Sequence, residues 1–231
     1  MASSFETPFG EKTKKHHFER NDFEAYHENI RELPSRKDKI IRAEPFRSKS
    51  VEDEVGFLKE TKGLLGYLQE HGIDMPAFDV VIGKDEKGRK RVFSIVDKIE
   101  GERVSKIKEY DSILNERLDK LFANYLRYLK DCYFNKKAFY ADMSDLQLVY
   151  GHSKDSVENK IYLVDLGFND FIKPSNGNRE FGSKAIFHAG VIRTEVEEFK
   201  NRFPSADFPE TLKTVTRVQG TIQEDMDKFG M

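Results

Sequence analysis

The sequence predicts an α+β protein, because strand-like segments are concentrated early in the chain and helix-like segments late. Short apolar runs at 39–43, 78–83 and 91–99 are typical of strands, whereas apolar residues from about 110 to 135 recur at helical spacing. The C-terminal part is helical again. This order differs from the regular strand–helix alternation of a doubly wound sheet.

Composition and charge restrict the class of protein. The chain of 231 residues contains 39 Lys and Arg against 41 Asp and Glu, so its net charge is close to zero. This balance argues against a general electrostatic grip on nucleic acid or acidic membrane. No apolar run approaches the roughly 18 residues of a membrane span, and the first residues lack the apolar core of a signal peptide. We therefore expect a cytoplasmic protein without nucleic-acid or membrane partners.

The first 37 residues are polar, with scattered aromatic residues and no clear period. Segments of this kind are often flexible or dock on a partner. We therefore expect residues 1–37 to form a flexible N-terminal arm, with the folded domain beginning at residue 38. Residues 39–43 are typical of a short strand, which Pro45 ends because proline cannot continue a ladder.

A helix is predicted next, followed by a hairpin. Ser50 is a good N-cap and Asp53 stands three residues later, as in a capping box. The pair His71-Gly72 is typical of a helix end. Residues 78–83 and 91–99 then predict two strands, which a charged turn joins as a hairpin.

The second half begins with the helix predicted from about 110 to 135. Its apolar face includes Cys132, the only cysteine, for which buried packing is the expected role. Two short strands are predicted at 146–150 and 160–166. Two further helices are marked by apolar residues at 192–203 and, after a proline, at 212–222.

Two segments carry candidate chemistry, residues 139–149 and residues 160–167. In each, an apolar stretch meets an aspartate at a strand end or in a loop: Asp142 in the first and Asp165 in the second. Such a pair suits phosphoryl transfer, because one carboxylate can accept a hydroxyl proton while the other holds Mg²⁺ against nucleotide phosphates. Taken alone, Asp142 is more typical of a turn before a strand, and only the second segment with Asp165 favours function.

The ordered set of motifs resembles the protein-kinase-like superfamily. Tyr140-Ala141-Asp142-Met143 resembles the catalytic loop of protein kinases and of kinases related to aminoglycoside phosphotransferases. Gln147 lies five residues after Asp142, where the family places its metal-binding Asn. Asp165-Leu166-Gly167 resembles the D-F-G motif. The resemblance covers roughly residues 38 to 170.

The resemblance implies a two-lobed kinase-like fold that binds ATP and Mg²⁺. A small antiparallel strand lobe would span residues 38–101 and a reduced helical lobe residues 102–231. Asp142 would be the catalytic base, and Asp165 and Gln147 would hold the metal. The nucleotide contacts would come from the strand lobe: Arg42 at the place of the phosphate-binding Lys, Glu54 as its ion-pair partner, and Val96 and Lys98 in the strand and hinge that receive the adenine.

Departures from the family pattern leave alternatives open. Gly10 is the only glycine before Gly56, so no glycine-rich phosphate loop precedes the first strand. Arg42 replaces Lys and Gln147 replaces Asn, which changes how phosphate and metal are bound. We predict an ATP- and Mg²⁺-dependent kinase acting on a hydroxyl of a protein or a small molecule. A pseudokinase-like binding module without catalysis is the alternative, followed by an α+β partner-binding protein without kinase ancestry.

Overall fold

The computed structural model describes residues 14–15, 30–33, 36–46, 48–84, 88–164, 170–174 and 178–229. Within these ranges the chain forms four α-helices and ten strands. The chain divides into two compact units. The first comprises Met1–Glu60, Pro76–Glu100 and Ser153–Val157, and the second comprises Thr61–Met75, Gly101–His152 and Glu158–Met231.

The first unit contains a five-stranded sheet. Its neighbouring strands pair in the order β1-β2-β3-β5-β4, and all four pairs are antiparallel. The strands are β1 (Lys14–Lys15), β2 (Ile30–Leu33), β3 (Arg36–Pro45), β4 (Phe78–Lys84) and β5 (Lys90–Asp97). The hairpin of β4 and β5 agrees with the sequence prediction, and β3 ends at Pro45 as expected.

The register of β3 and β5 places Ile41 and Arg42 on opposite faces of the sheet. Ile41 lies opposite Ile95, and together with Phe93 they form a buried cluster. Because side chains alternate along a strand, the residues between them project to the other face. There Arg42 lies opposite Ser94, while its role toward phosphate stays a prediction.

Helix α1 (Val51–Glu70) begins with the predicted capping box. The N–H of Asp53 donates to Ser50 Oγ at 3.0 Å, and Ser50 Oγ donates to Asp53 Oδ2 at 2.8 Å. The helix ends before Gly72, whose φ of 76° lies in the left-handed region that glycine tolerates. Both ends of the helix are therefore set by residues that the sequence analysis identified.

The second unit is built on α2 (Ser112–Phe134), α3 (Asn178–Arg202) and α4 (Pro209–Phe229). Asp111 caps α2 by accepting a hydrogen bond from Leu114 N–H at 2.7 Å. The three helices share a core of buried apolar residues, among them Leu118, Phe122, Leu126, Phe181, Val196, Phe199, Val215, Val218 and Ile222. The predicted helix at 110–135 is thus confirmed.

Short strands complete the second unit. Strand β7 (Phe139–Tyr140) pairs with β10 (Phe171–Ile172), and this pair is antiparallel. A three-stranded sheet has the order β6-β8-β9. Its strands are β6 (Ile99–Arg103), β8 (Leu148–Ser153) and β9 (Lys160–Leu163). The first two residues of β6 and the last residue of β8 belong to the first unit.

The structure confirms the expected mixture of helices and small antiparallel sheets, and it changes several boundaries. Strand β8 begins at Leu148 rather than at residue 146, because residues Asp145–Gln147 form a 3-10 helical turn. Helix α3 begins at Asn178, well before the predicted residue 192. Strand β2 lies within residues 1–37, where no strand was expected; the flexibility of that segment and the two-lobed arrangement stay predictions.

None of the helices in the described part of the chain combines the length and the apolar character that a membrane span needs.

Two glycine substitutions test the packing of this fold. A Cβ at Gly101 would collide with the backbone of Tyr150 and Gly151, whereas a Cβ at Gly63 in α1 would meet no atom within 4 Å. We expect Gly63→Ala to raise the free energy of unfolding by about 0.5–1 kcal/mol, because alanine favours the helix. Gly101→Ala should lower it by roughly 2 kcal/mol or more. Urea unfolding of the two variants measures both changes, and equal stability of Gly101→Ala and wild type would contradict the close approach of these strands.

Candidate active site

The candidate site is the loop that follows β7, and helix α2 holds the start of this loop through both backbone groups of one residue, Tyr140. The N–H of Tyr140 donates to the hydroxyl oxygen of Tyr128 at 3.0 Å. The hydroxyl of Tyr125 donates to the carbonyl oxygen of Tyr140 at 2.6 Å. The two tyrosines stand three residues apart and therefore share a face of α2. All three residues are buried, so the loop starts from a fixed point in the core.

The next residue of the loop, Ala141, is held by its backbone. Its N–H donates to the carbonyl oxygen of Asp170 at 2.7 Å. His188 of α3 forms a hydrogen bond with the backbone of Ala141, and its ring packs edge-on against Phe139 with centroids 5.6 Å apart. Burial lowers the pKa of His188, although the bond to Ala141 acts in the opposite direction. The imidazole is therefore neutral at physiological pH and serves as a packing and hydrogen-bonding group.

Asp142 and Gln147, which the motif assigns to separate roles, are joined by a hydrogen bond. Gln147 Nε2 donates to Asp142 Oδ2 at 2.8 Å. Since an ionised carboxylate only accepts hydrogen bonds, the amide nitrogen must face Asp142, and the amide oxygen is the atom that remains for a cation. The proximity of the two side chains is a finding; their chemical roles stay predictions.

The negative charge of Asp142 also acts on Tyr125, which holds the start of the loop. Burial raises the pKa of Tyr125 above its ordinary value, and the negative charge of Asp142 adds to this effect. The hydroxyl of Tyr125 therefore remains protonated and keeps donating to Tyr140.

The backbone of Gln147 connects this loop to the strand that precedes Asp165. The N–H of Gln147 donates to Ser144 O at 3.1 Å, and its carbonyl oxygen accepts from Val164 N–H at 3.0 Å. Val164 is the last described residue of that strand segment. Asp165 and the rest of its predicted D-F-G-like motif lie outside the described residues, so the role of Asp165 stays a prediction.

The far end of the loop is held by charged groups. The N–H of Asp145 donates to Glu195 Oε2 at 3.3 Å, and Asp145 Oδ2 lies 3.4 Å from Arg202 Nη1. Arg103 Nη1 donates to the carbonyl oxygen of Leu146 at 2.8 Å. The turn that carries Gln147 is therefore bound to α3 and to the end of β6.

Glu195 is a partly buried carboxyl group in α3. Burial raises its pKa to about 7, and the negative charges of Asp145 and Glu198 add to the rise. The hydrogen bond from the Asp145 backbone and the charge of Arg202 act in the opposite direction. Glu195 therefore titrates near neutral pH while it accepts a hydrogen bond from the loop.

The four predicted nucleotide-binding residues lie in the first unit. Val96 lies opposite Ile40 in the sheet, near Arg42, and the N–H of Lys98 donates to Asp38 O at 2.8 Å. Glu54 is 1% exposed, and its carboxylate accepts from Ser48 N–H at 2.8 Å. The pairing of Glu54 with Arg42 and the binding of nucleotide by these residues stay predictions.

Sequence reasoning missed the residues that hold the loop. Tyr125 and Tyr128 lie in the helix predicted from about 110 to 135, whose apolar spacing indicates core packing and no hydrogen bond to a distant loop. A signal was present, because a buried tyrosine hydroxyl requires a hydrogen-bond partner that phenylalanine does not. Glu195 and Arg202 gave no comparable signal, since a charged residue in a helix is usually solvated.

No metal site is complete within the part of the chain that the structure describes. These residues include no group of three or more His, Cys, Asp and Glu that could hold a metal ion. The expected Mg²⁺ ligands are Gln147, whose amide oxygen is suited to this cation, and Asp165. The magnesium site therefore stays a prediction.

Comparison with known proteins gives structural similarity alone. No family model and no curated protein matches the sequence. Among solved structures, the chain is similar to a crystal structure of WbdD at 14% identity and a TM-score of 0.39, covering 94% of this chain and 50% of that one. A co-crystal structure of WbdD with a kinase inhibitor matches at 14% identity and a TM-score of 0.38, covering 90% and 46%. The chain thus spans about half the length of WbdD, and similarity at this level does not establish a shared activity.

The pKa of Glu195 predicts how stability depends on pH. Its folded-state pKa of about 7 exceeds the ordinary 4.5, so the native state holds a proton that the unfolded chain releases. Stability is therefore lost as the pH rises from about 5 to 7. Glu195→Gln should not show this loss, because its amide does not titrate. The free energy of unfolding of the variant minus that of wild type should therefore rise by about 1 kcal/mol between pH 5 and pH 8, after allowance for solvent screening.

Urea unfolding at both pH values measures this effect, with Glu197→Gln as the matched control. Glu197 stands two residues away on the same helix and is exposed. A pH-independent difference between Glu195→Gln and wild type would show that Glu195 is ionised throughout this range.

Proposed function

We propose that this protein is an ATP- and Mg²⁺-dependent phosphotransferase of divergent kinase-like fold, which transfers a phosphoryl group to a hydroxyl. The observation that carries the proposal is the 2.8 Å hydrogen bond between Gln147 and Asp142. It joins two side chains that the sequence motif assigns to neighbouring roles, those of metal ligand and base. A turn that merely precedes a strand does not require this contact.

Asp142 is the proposed base. It is partly exposed, so an acceptor hydroxyl can reach its carboxylate. As the acceptor oxygen forms a bond to the γ-phosphorus, its proton passes to Asp142, while the bond from phosphorus to the β,γ-bridging oxygen breaks and ADP leaves. The acceptor is either a protein side chain or a small molecule.

Gln147 and Asp165 are the proposed metal ligands. The amide of Gln147 uses its nitrogen for Asp142, and its oxygen is then the atom for the cation. When bound, Mg²⁺ supplies positive charge that neutralises the phosphate oxygens. The contact with Asp142 also restricts the rotation of the Gln147 side chain. This restriction compensates in part for the extra length of Gln147 relative to the Asn of the family.

The proposed nucleotide contacts come from the first unit. Arg42 offers a planar fork of donors for phosphate oxygens, with Glu54 as its brace. Val96 and Lys98 would contact the adenine from the end of β5. These assignments rest on the motif resemblance and, for Arg42 and Val96, on their positions in the sheet.

A pseudokinase-like module is the second candidate, and one sequence feature favours it. Because Gly10 is the only glycine before Gly56, the chain lacks a glycine-rich loop whose backbone N–H groups could approach phosphate closely. Phosphates without this cradle stay partly solvated, and nucleotide affinity should then be weak. Retention of both Asp142 and Asp165 favours catalysis over this alternative.

Titration calorimetry with ATP tests ligand binding directly. Wild type should bind ATP in the presence of Mg²⁺, and Asp165→Ala should lose at least about tenfold in affinity, or 1.4 kcal/mol, because one metal ligand is gone. Asp227→Ala, a change in α4, is the matched control and should bind as wild type. Equal affinity of wild type and Asp165→Ala would remove Asp165 from the site.

Turnover separates the kinase from the pseudokinase. Asp142→Asn retains the shape of the side chain and can still accept the bond from Gln147, but it cannot take a proton. ATP turnover should therefore fall by roughly 100-fold or more while ATP affinity stays within about threefold. Unchanged turnover would show that Asp142 is not the base, and ATP binding without any turnover in wild type would favour the pseudokinase.

A further inference from the structure

Arg202, the last residue of α3, joins two turns of the second unit through one guanidinium group. Its Nη2 donates to Val104 O at 3.0 Å, and its Nη1 donates to Ser105 O at 3.1 Å. The same Nη1 lies 3.4 Å from Asp145 Oδ2. The guanidinium therefore connects the 3-10 turn Val104–Lys106 with the 3-10 turn that ends at Gln147.

An aromatic platform sets the orientation of this guanidinium. Its carbon atom lies 4.7 Å from the ring centroid of Phe199 and 4.8 Å from that of Phe203. Phe203 is stacked in turn on Tyr110, with ring centroids 4.7 Å apart. Because the platform restricts the side chain before it binds Asp145, little conformational entropy is lost in forming that contact. A lysine has no planar group to stack in this way.

Asp145 is held twice by the same helix. Its carboxylate contacts Arg202, and its backbone N–H donates to Glu195 Oε2 at 3.3 Å. Glu195 and Arg202 stand seven residues apart, two turns along one face of α3. Asp145 lies three residues after Asp142 and two before Gln147, so fixing it restricts the middle of the segment between them.

We propose that Arg202 is a positioning residue, which holds Asp145 and thereby sets the turn from which Gln147 reaches Asp142. The inference rests on the proposed function, in which this loop carries the base and a metal ligand. Arg202 touches neither Asp142 nor the reacting groups in this role; it acts through Asp145. The alternative is that Arg202 only ties α3 to its neighbours and contributes stability alone.

Arg127 offers a matched control for that alternative. It pairs with Glu210 and so ties α2 to α4, and its side chain is 39% exposed against 36% for Arg202. Arg127→Gln thus removes an ion pair between two helices, at an arginine of similar exposure. None of the contacts described above joins Arg127 to the loop that carries Asp142. If Arg202 contributes stability alone, Arg202→Gln and Arg127→Gln should have the same effect on the loop.

Hydrogen–deuterium exchange of peptides covering residues 141–150 tests the proposal without any ligand. In Arg202→Gln, protection of this loop should fall by about tenfold relative to wild type, whereas Arg127→Gln should leave it unchanged. Arg202→Lys should restore only part of the protection. Asp145→Asn, which leaves the arginine and its platform in place, should reproduce the loss and serves if Arg202→Gln does not fold.

Kinetics gives the second readout. Arg202→Gln should lower kcat for ATP by about tenfold or more, with KM for ATP within about threefold, because a misplaced loop affects the reacting groups more than ground-state binding. Equal loop protection in Arg202→Gln, Asp145→Asn and Arg127→Gln would overturn the positioning role. If wild type neither binds nor turns over ATP, the proposed function fails, and the exchange measurement still decides whether Arg202 positions the loop.

Discussion

The two hydrogen bonds from Tyr125 and Tyr128 to the backbone of Tyr140 are the constraint on which the candidate site depends. Among the described residues, strand β7 comprises two residues and pairs with one strand, so this ladder does not satisfy every backbone group that it buries. An unpaired buried N–H or C=O costs about 1–3 kcal/mol. The tyrosine hydroxyls take the place of a further strand, and helix α2 thereby determines where the loop leaves the core. Asp142 follows two residues later.

Neutral groups anchor the buried start of the loop, and charged groups anchor its partly exposed end. At its start, hydroxyl and backbone groups of Tyr125, Tyr128 and Tyr140 form the contacts among buried residues. At its end, Arg202 and Glu195 hold the partly exposed Asp145. This division follows from the cost of burying charge, which a neutral hydroxyl avoids and a partly solvated ion pair reduces. Asp142 lies between the two anchors, and Gln147 follows the second anchor by two residues.

Local signals in the sequence predicted the elements that local forces determine. The capping box at Ser50 and the apolar face of α2 depend on neighbours within four residues, and the structure confirms both. The motif places Asp142 and Gln147 five residues apart in the sequence, but their hydrogen bond was not predicted and is a finding of the structure. Strand β2 was missed because its sequence, IREL, has no clear alternation and is recognisable only by its pairing with β3.

Non-local contacts account for the rest of what sequence reasoning missed. The first turns of α3 bury Phe181, Ala185 and Ala189, a helical spacing that small alanines make hard to recognise. Arg202 stands 57 residues from Asp145, and no local pattern connects an arginine at a helix end with a distant turn. Such positions become visible only when the packing of the helices brings them together.

The central claim is that Gln147 and Asp142 form one site that responds to a metal-bound nucleotide. The most direct measurement is the ¹⁵N–¹H spectrum of the Gln147 side-chain amide, assigned with Gln147→Asn. On addition of Mg²⁺ and a non-hydrolysable ATP analogue, this resonance should shift, while the amide of the exposed Gln223 in α4 should not. A Gln147 resonance that ignores saturating Mg²⁺ and nucleotide, in a protein that remains folded, would contradict the account.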